Sequence, residues 1–379
     1  MNDKDTAAQL SFLRLLPSII VVLLAALAIP FASELHVGAA ASSICAIFLI
    51  ATAKKKIPVL LMLLLLIGTL GIPNGLPMIT VILALIVGSG AYSWLISYTR
   101  SPYVAIIPVL AYSIATVLTK NWFGSLVALA FVPSAIALAT SFKSGATRLG
   151  AICKSSGAFA ITAALAIIFA MLYFRGEIRL DILKGYADSF TQSIADVFAS
   201  TEMELINGET EALFSEEDAY MLARRIVTLF PAIAVVFLNS ISFFAQRLQF
   251  RLLRATLGED VLGSRAIAFI VSPVAGAVYV ISFLVATLTN SSPLDRIVNT
   301  VCQNLFVILS PALIGMGIIF FFAKMAVKQI RFAPLIIVAV IVLTIFNTQA
   351  ALLLVACFGA YASIAIPILS YLKEKSGKE

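Results

Sequence analysis

Charge is what this chain has least of. Only 12% of its 379 residues are Asp, Glu, Lys or Arg, while 61% are hydrophobic. One soluble core could not hide that much apolar surface, so the chain needs lipid as its solvent. Histidine is also scarce. The single His36 rules out any two-histidine metal motif and leaves a Ser-His hydrolase with one poorly placed base. The four cysteines (Cys45, Cys153, Cys302, Cys357) have no CxxC spacing, which argues against a metal or redox centre and predicts buried packing. A GxxxxGK[ST] loop is missing, so any ATP would be spent by a partner.

Apolar runs of about 16 to 24 residues recur along the chain, near the roughly 20 residues a helix needs to cross about 30 Å of hydrocarbon. Stretches such as Val59–Leu70 are apolar at every position, which excludes the alternating pattern of a membrane barrel. The fold expected is all-α: a polytopic transmembrane helical bundle of about twelve spans. These lie near 15–32, 37–53, 57–72, 76–97, 103–119, 122–141, 151–174, 223–246, 265–289, 300–323, 332–347 and 350–371. Two blocks follow, 1–150 with about six short helices and 151–379 carrying an external insert at about 175–222.

The net charge of +7 would suggest nucleic acid in a soluble protein, but here the basic residues sit in short segments between spans. With the N-terminus inside, nineteen of the 26 Lys and Arg fall on the inner side, including Lys54 to Lys56, Lys143, Arg148, Lys154 and the stretch from Arg247 to Arg265. That is positive-inside sorting, with both termini cytoplasmic in a bacterial plasma membrane and no role for nucleic acid. Arg14 before an apolar run resembles a signal peptide, but no A-x-A site follows, so a retained span is expected.

Between Phe174 and Ala223 the composition changes, and eleven of the nineteen acidic residues gather there. Ile182, Tyr186, Phe190, Ile194 and Phe198 recur every four residues and predict an amphipathic helix, lying on the outer membrane surface or covering an opening between spans. Asn207-Gly208 marks a turn. Ser215 followed by Glu216, Glu217 and Asp218 then predicts a helix start, with the hydroxyl as cap and the acids at the positive end of the dipole.

No Asp or Glu falls at the centre of a span, which removes an intramembrane aspartyl protease and disfavours carriers coupled through a carboxylate. No enzymatic activity and no cofactor are expected. Sparse polar residues are left: Asn239 and Gln246 in the eighth span, Asn299 and Gln303 near the tenth, and Arg224 and Arg225 at an outer mouth. The ordinary reading is helix–helix hydrogen bonding and interfacial anchoring. The functional reading is a pocket for a small polar or amphipathic ligand. Pro231, Pro273 and Pro311 predict broken or kinked helices, the last two in similar Ser-Pro settings.

Several short Gly/Ala/Pro-rich spans, then an external amphipathic insert, then Leu229-Phe230-Pro231-Ala232 leading into the basic stretch Arg247 to Arg254, resemble the uncharacterised YybS-like family of bacterial membrane proteins. Gly68-Thr69-Leu70-Gly71 and Gly88-Ser89-Gly90-Ala91 would let helices approach closely. In that respect the N-terminal block is similar to the substrate-capture subunits of energy-coupling-factor transporters. The resemblance implies no catalytic residues. It implies a transport-related or ligand-capturing protein that relies on a separate ATPase and coupling module. The alternative is a non-catalytic scaffold of envelope assembly or division, docking envelope proteins through the insert and a basic loop at 247–265.

Overall fold

A computed structural model describes residues 78–103, 105–106, 109–110, 122–175, 180–204, 210–212, 214–258, 269–288, 293–326, 342 and 347–376. Among them the chain forms eight helices: α1 (Met78–Thr99), α2 (Trp122–Lys143), α3 (Arg148–Arg175), α4 (Leu180–Ala199), α5 (Glu216–Leu257), α6 (Pro273–Leu288), α7 (Pro293–Ala326) and α8 (Thr348–Ser376). A short antiparallel hairpin, β1 (Glu202–Glu204) with β2 (Thr210–Ala212), pairs Glu202 with Ala212 and Glu204 with Thr210. The strands lie on either side of residues 205–209, so the turn expected at Asn207-Gly208 falls outside the described residues.

Among the described residues four stretches are long and apolar enough to cross a membrane: Arg148–Phe169, Glu216–Leu257, Ile297–Ala323 and Thr348–Leu369. Leu129–Lys143 and Pro273–Leu288 are apolar but shorter. Ile161 and Leu165 on α3 are 64% and 60% exposed, and only lipid solvates such surfaces without penalty. The chain is therefore a helical membrane protein. Twelve spans are not what these helices support. The expected spans 15–32, 37–53, 57–72, 103–119 and 332–347 lie wholly or mostly outside the described residues, as do His36, Cys45, Lys54 to Lys56 and the Gly68–Gly71 segment.

The described chain divides into two compact units. The first takes in residues up to Ala170 and Phe237–Phe269, the second Met171–Val236 and Ile270–Glu379. The first unit packs α1 on α2. Trp94, Tyr92 and Leu95 are buried, and the Trp94 indole N–H donates to Thr256 Oγ1 at 3.1 Å. The hydroxyls of Ser134 and Ser155 share a hydrogen bond of 2.6 Å that ties α2 to α3. Gln249 Nε2 donates to Ser97 Oγ at 3.2 Å and Gln246 Nε2 to the Arg148 carbonyl at 3.4 Å, so this apolar unit is stitched by neutral polar contacts.

In the second unit α6, α7 and α8 pack on one another. Gly359 lies against the Leu313 carbonyl and Gly317 against that of Val355, a backbone approach that any β-carbon would block. Tyr279 stacks on Phe306 with centroids 4.8 Å apart, and Phe283 leans on the same ring at 5.6 Å. The amphipathic helix α4 buries Thr191 and Ala195, while Tyr186 and Val197 stay exposed and Phe190 meets Phe230 edge-on at 6.1 Å.

Helix α5 is 42 residues, roughly 63 Å, far more than one bilayer crossing requires. It starts where the sequence expects: the Asp218 N–H donates to Ser215 Oγ at 3.2 Å, and the Ser215 hydroxyl donates to Asp218 Oδ2 at 2.7 Å. Its far end corrects an expectation. Arg247, Arg251 and Arg254 ride on the helix as far as Leu257, so the first half of the supposed basic loop is regular helix. The cysteines are corrected too, since Cys153 and Cys357 are exposed free thiols and Cys302 is half-buried.

The three prolines behave differently. Pro273 opens α6, with Ser272 Oγ capping the Ala275 N–H at 3.2 Å, so it begins a helix rather than breaking one. Pro311 lies inside α7, where the Ser310 hydroxyl donates back to the Phe306 carbonyl at 2.7 Å. The two Ser-Pro pairs thus have unlike roles despite their similar settings. Pro231 lies inside α5. There Asn304 of α7 reaches across: its Nδ2 donates to the Thr228 carbonyl at 3.1 Å and its Oδ1 accepts from the Ala232 N–H at 3.1 Å. Thr228 C=O and Ala232 N–H are the pair that bond each other in an unbroken helix, so a carboxamide engages both groups beside the proline.

Candidate functional site

Within the second unit, α6, α7 and the start of α8 line a half-open pocket of about 500 Å³. Its size falls in the range of small-molecule sites, roughly 300–1,000 Å³. Tyr279, Phe283 and Phe306 form an aromatic wall, and Ile314, Leu352 and Leu353 extend the apolar lining. Each is where it is for a local reason: Tyr279 and Phe283 are one turn apart on α6, and Phe306, Ser310 and Ile314 follow at the same spacing along α7.

Polar groups converge on the same space from Ser310, Asn347 and Gln349. Asn347 is held in place as the cap of α8, its Oδ1 accepting the Ala350 N–H at 3.0 Å. The Ser310 proton is committed to the Phe306 carbonyl, leaving its oxygen free to accept. The Tyr279 side chain is almost fully buried, and its hydroxyl lies in range of Ser310 without a well-aligned hydrogen bond. Tyr279 and Ser310 thus place two hydroxyl groups side by side at the pocket wall. Among the described residues the lining carries no charged side chain and no His or Cys. Among the described residues no group of three His, Cys, Asp or Glu could hold a metal.

The residues singled out from sequence lie elsewhere. Asn239 and Gln246 belong to the first unit, where Gln246 is buried and the Asn239 Oδ1 is shielded without a partner. Asn299 and Gln303 are joined by a 3.0 Å bond from Gln303 Nε2 to Asn299 Oδ1, an (i, i+4) pair on α7. Arg224 and Arg225 are exposed on α5. None of the six lines the cavity. Tyr279, Ser310, Asn347 and Gln349 have no distinctive spacing. Asn304 could have been noticed as a carboxamide next to a long apolar run, but its match to Pro231, 73 positions earlier, is a tertiary fact.

Comparison with protein-family models, curated proteins and solved structures finds no match to this chain.

Proposed function

We propose that this is a multi-pass protein of a bacterial plasma membrane that captures a small, uncharged amphipathic ligand among α6, α7 and α8, without an ATPase of its own. The observation that carries the reading is the cavity itself. An aromatic wall suits an apolar body, and the unaligned Tyr279 hydroxyl with Ser310, Asn347 and Gln349 suits a polar end. Among the described lining residues an ion would find no charge to pair with, which in a membrane interior favours an uncharged ligand. Energy for transport would come from a separate module, in keeping with the likeness to energy-coupling-factor capture subunits.

The test begins with gentle purification from native membranes, followed by mass spectrometry of proteins and small molecules that come along. A co-purifying ATPase pair with a coupling subunit, together with a small molecule lost from a Tyr279→Phe/Ser310→Ala variant, is the expected result. Recovery of the same small molecule from that variant would refute the cavity as its site.

A second reading has its own observation. The exposed Tyr186, Phe190 and Val197 on α4, beside the acidic hairpin, make a surface that envelope proteins could dock against, as a non-catalytic scaffold requires. Envelope or division proteins without any ATPase in the same purification would favour it. The fuller topology, twelve spans with both termini cytoplasmic, belongs to this proposal and predicts that a single cysteine at position 200 reacts with an impermeant reagent from outside.

A further inference from the structure

Lys143, Arg148, Lys154, Arg247, Arg251 and Arg254 gather in the first unit at the end of α2, the start of α3 and the end of α5, with no Asp or Glu among that unit's described residues. Five of them are exposed and suit general attraction to anionic surfaces. Arg148 is different. Its guanidinium lies over the Phe243 ring at 4.7 Å, and its Nε is shielded from solvent with no hydrogen-bond acceptor. Its backbone is fixed as well, because the buried Gln246 donates to its carbonyl and Thr147 Oγ1 caps the Gly150 N–H at 3.3 Å.

Phe243 and Arg247 are one turn apart on α5, which brings a second guanidinium into electrostatic range of the first. Two like charges with no described counter-ion are costly unless an anion joins them. The first turn of α3 also lacks an acidic residue, so the positive end of its dipole adds to the same field. Beside this pair Phe244 is 52% exposed on α5, an apolar surface of the kind acyl chains cover.

We infer that Arg148 and Arg247 form a seat for the phosphate of an anionic phospholipid at the end of the first unit. The planar forks of two arginines match phosphate oxygens, the stack on Phe243 holds one fork in place, and Phe244 lies where a lipid tail would run. A lipid rather than a free anion is assigned because the site adjoins exposed apolar surface at the start of the span Arg148–Phe169.

The full chain would be reconstituted in nanodiscs of phosphatidylcholine containing phosphatidylglycerol, released into detergent, and its retained lipids counted by native mass spectrometry. The wild type is expected to retain phosphatidylglycerol selectively. Arg148→Gln/Arg247→Gln should lose that selectivity by roughly 30-fold, the product of two basic side chains near anionic headgroups. Arg251→Gln/Arg254→Gln removes the same charge from exposed positions and should largely keep it. Equal losses in the two pairs would show diffuse attraction and overturn the seat, as would a wild type without preference. Displacement of bound phosphatidylglycerol by inorganic phosphate at modest concentration would transfer the site to a free anion and overturn the lipid assignment. If the first pair does not fold, Arg148→Lys keeps the charge without the fork; it should lose several-fold in selectivity, and an unchanged value refutes the geometry.

Discussion

Replacing Asn304 by Leu removes a carboxamide that holds three bonds: Nδ2 to the Thr228 and Thr300 carbonyls at 3.1 and 2.9 Å, and Oδ1 from the Ala232 N–H at 3.1 Å. The bond to Thr300 lies within α7 and costs little to lose. The other two reach α5 beside Pro231, where the ring disfavours closure of the regular ladder. At the average measured inside membranes, about 0.6 kcal/mol per bond, their loss costs roughly 1 kcal/mol. If both backbone groups are left unmet, at about 1–3 kcal/mol each, the cost rises to roughly 2–6 kcal/mol.

We expect about 2–3 kcal/mol, because Leu keeps the branched shape of Asn without its polar atoms and water cannot easily reach the buried Ala232. The assay is reversible unfolding in mixed micelles, run as a double-mutant cycle with Pro231→Ala. Alanine at 231 restores the missing N–H and removes the ring that disfavours the regular ladder there, so Asn304→Leu should then cost at least 1 kcal/mol less than in the proline background. A loss below about 0.5 kcal/mol in the wild-type background, or no coupling within the roughly 0.3–0.5 kcal/mol error of additivity, would refute the claim that the carboxamide supports the helix beside the proline.

Three further outcomes follow from the same structure. Gly359→Leu should prevent α8 from approaching α7, because its β-carbon would already collide with the Leu313 carbonyl; a destabilisation above about 3 kcal/mol in the unfolding assay is expected, while Gly157→Ala, at a glycine with open space around it, should be nearly neutral or stabilising. Ser215→Ala should cost about 1 kcal/mol of local stability, read as faster amide hydrogen exchange over residues 216–220, with Asp218→Asn giving a smaller effect. Thr256→Val removes the acceptor of the buried Trp94 N–H and should cost about 1–3 kcal/mol, accompanied by a shift in tryptophan emission that Thr256→Ser does not produce.

Local signals were legible wherever the physics is local. The apolar runs at 122–141, 151–174 and 300–323 are helices because lipid leaves a backbone no other way to satisfy its hydrogen bonds, and α2, α3 and α7 cover them. The four-residue spacing from Ile182 to Phe198 is a helix, and the Ser215 cap lies at its expected residue. Ends were harder to read. Arg247 to Arg254 looked like loop because charge usually stops a span, whereas a helix needs no apolar surroundings once its own backbone bonds are made. Ser272-Pro273 and Ser310-Pro311 looked alike because Ser-Pro has the same local preferences in both. Whether a proline opens a helix or sits inside one depends on what continues before it.

By itself, then, the sequence determined that this chain is helical and belongs in a membrane, and where its amphipathic segment lies, since both follow from residue type and spacing along the chain. Tertiary structure decided the rest. The cavity behind Tyr279, the carboxamide of Asn304 seated at Pro231 and the stacking of Arg148 on Phe243 join positions from 27 to 95 residues apart. Asn, Ser and Tyr in an apolar run look the same whether they bond a neighbouring helix or face a ligand, because only packing decides which of their polar atoms finds a partner.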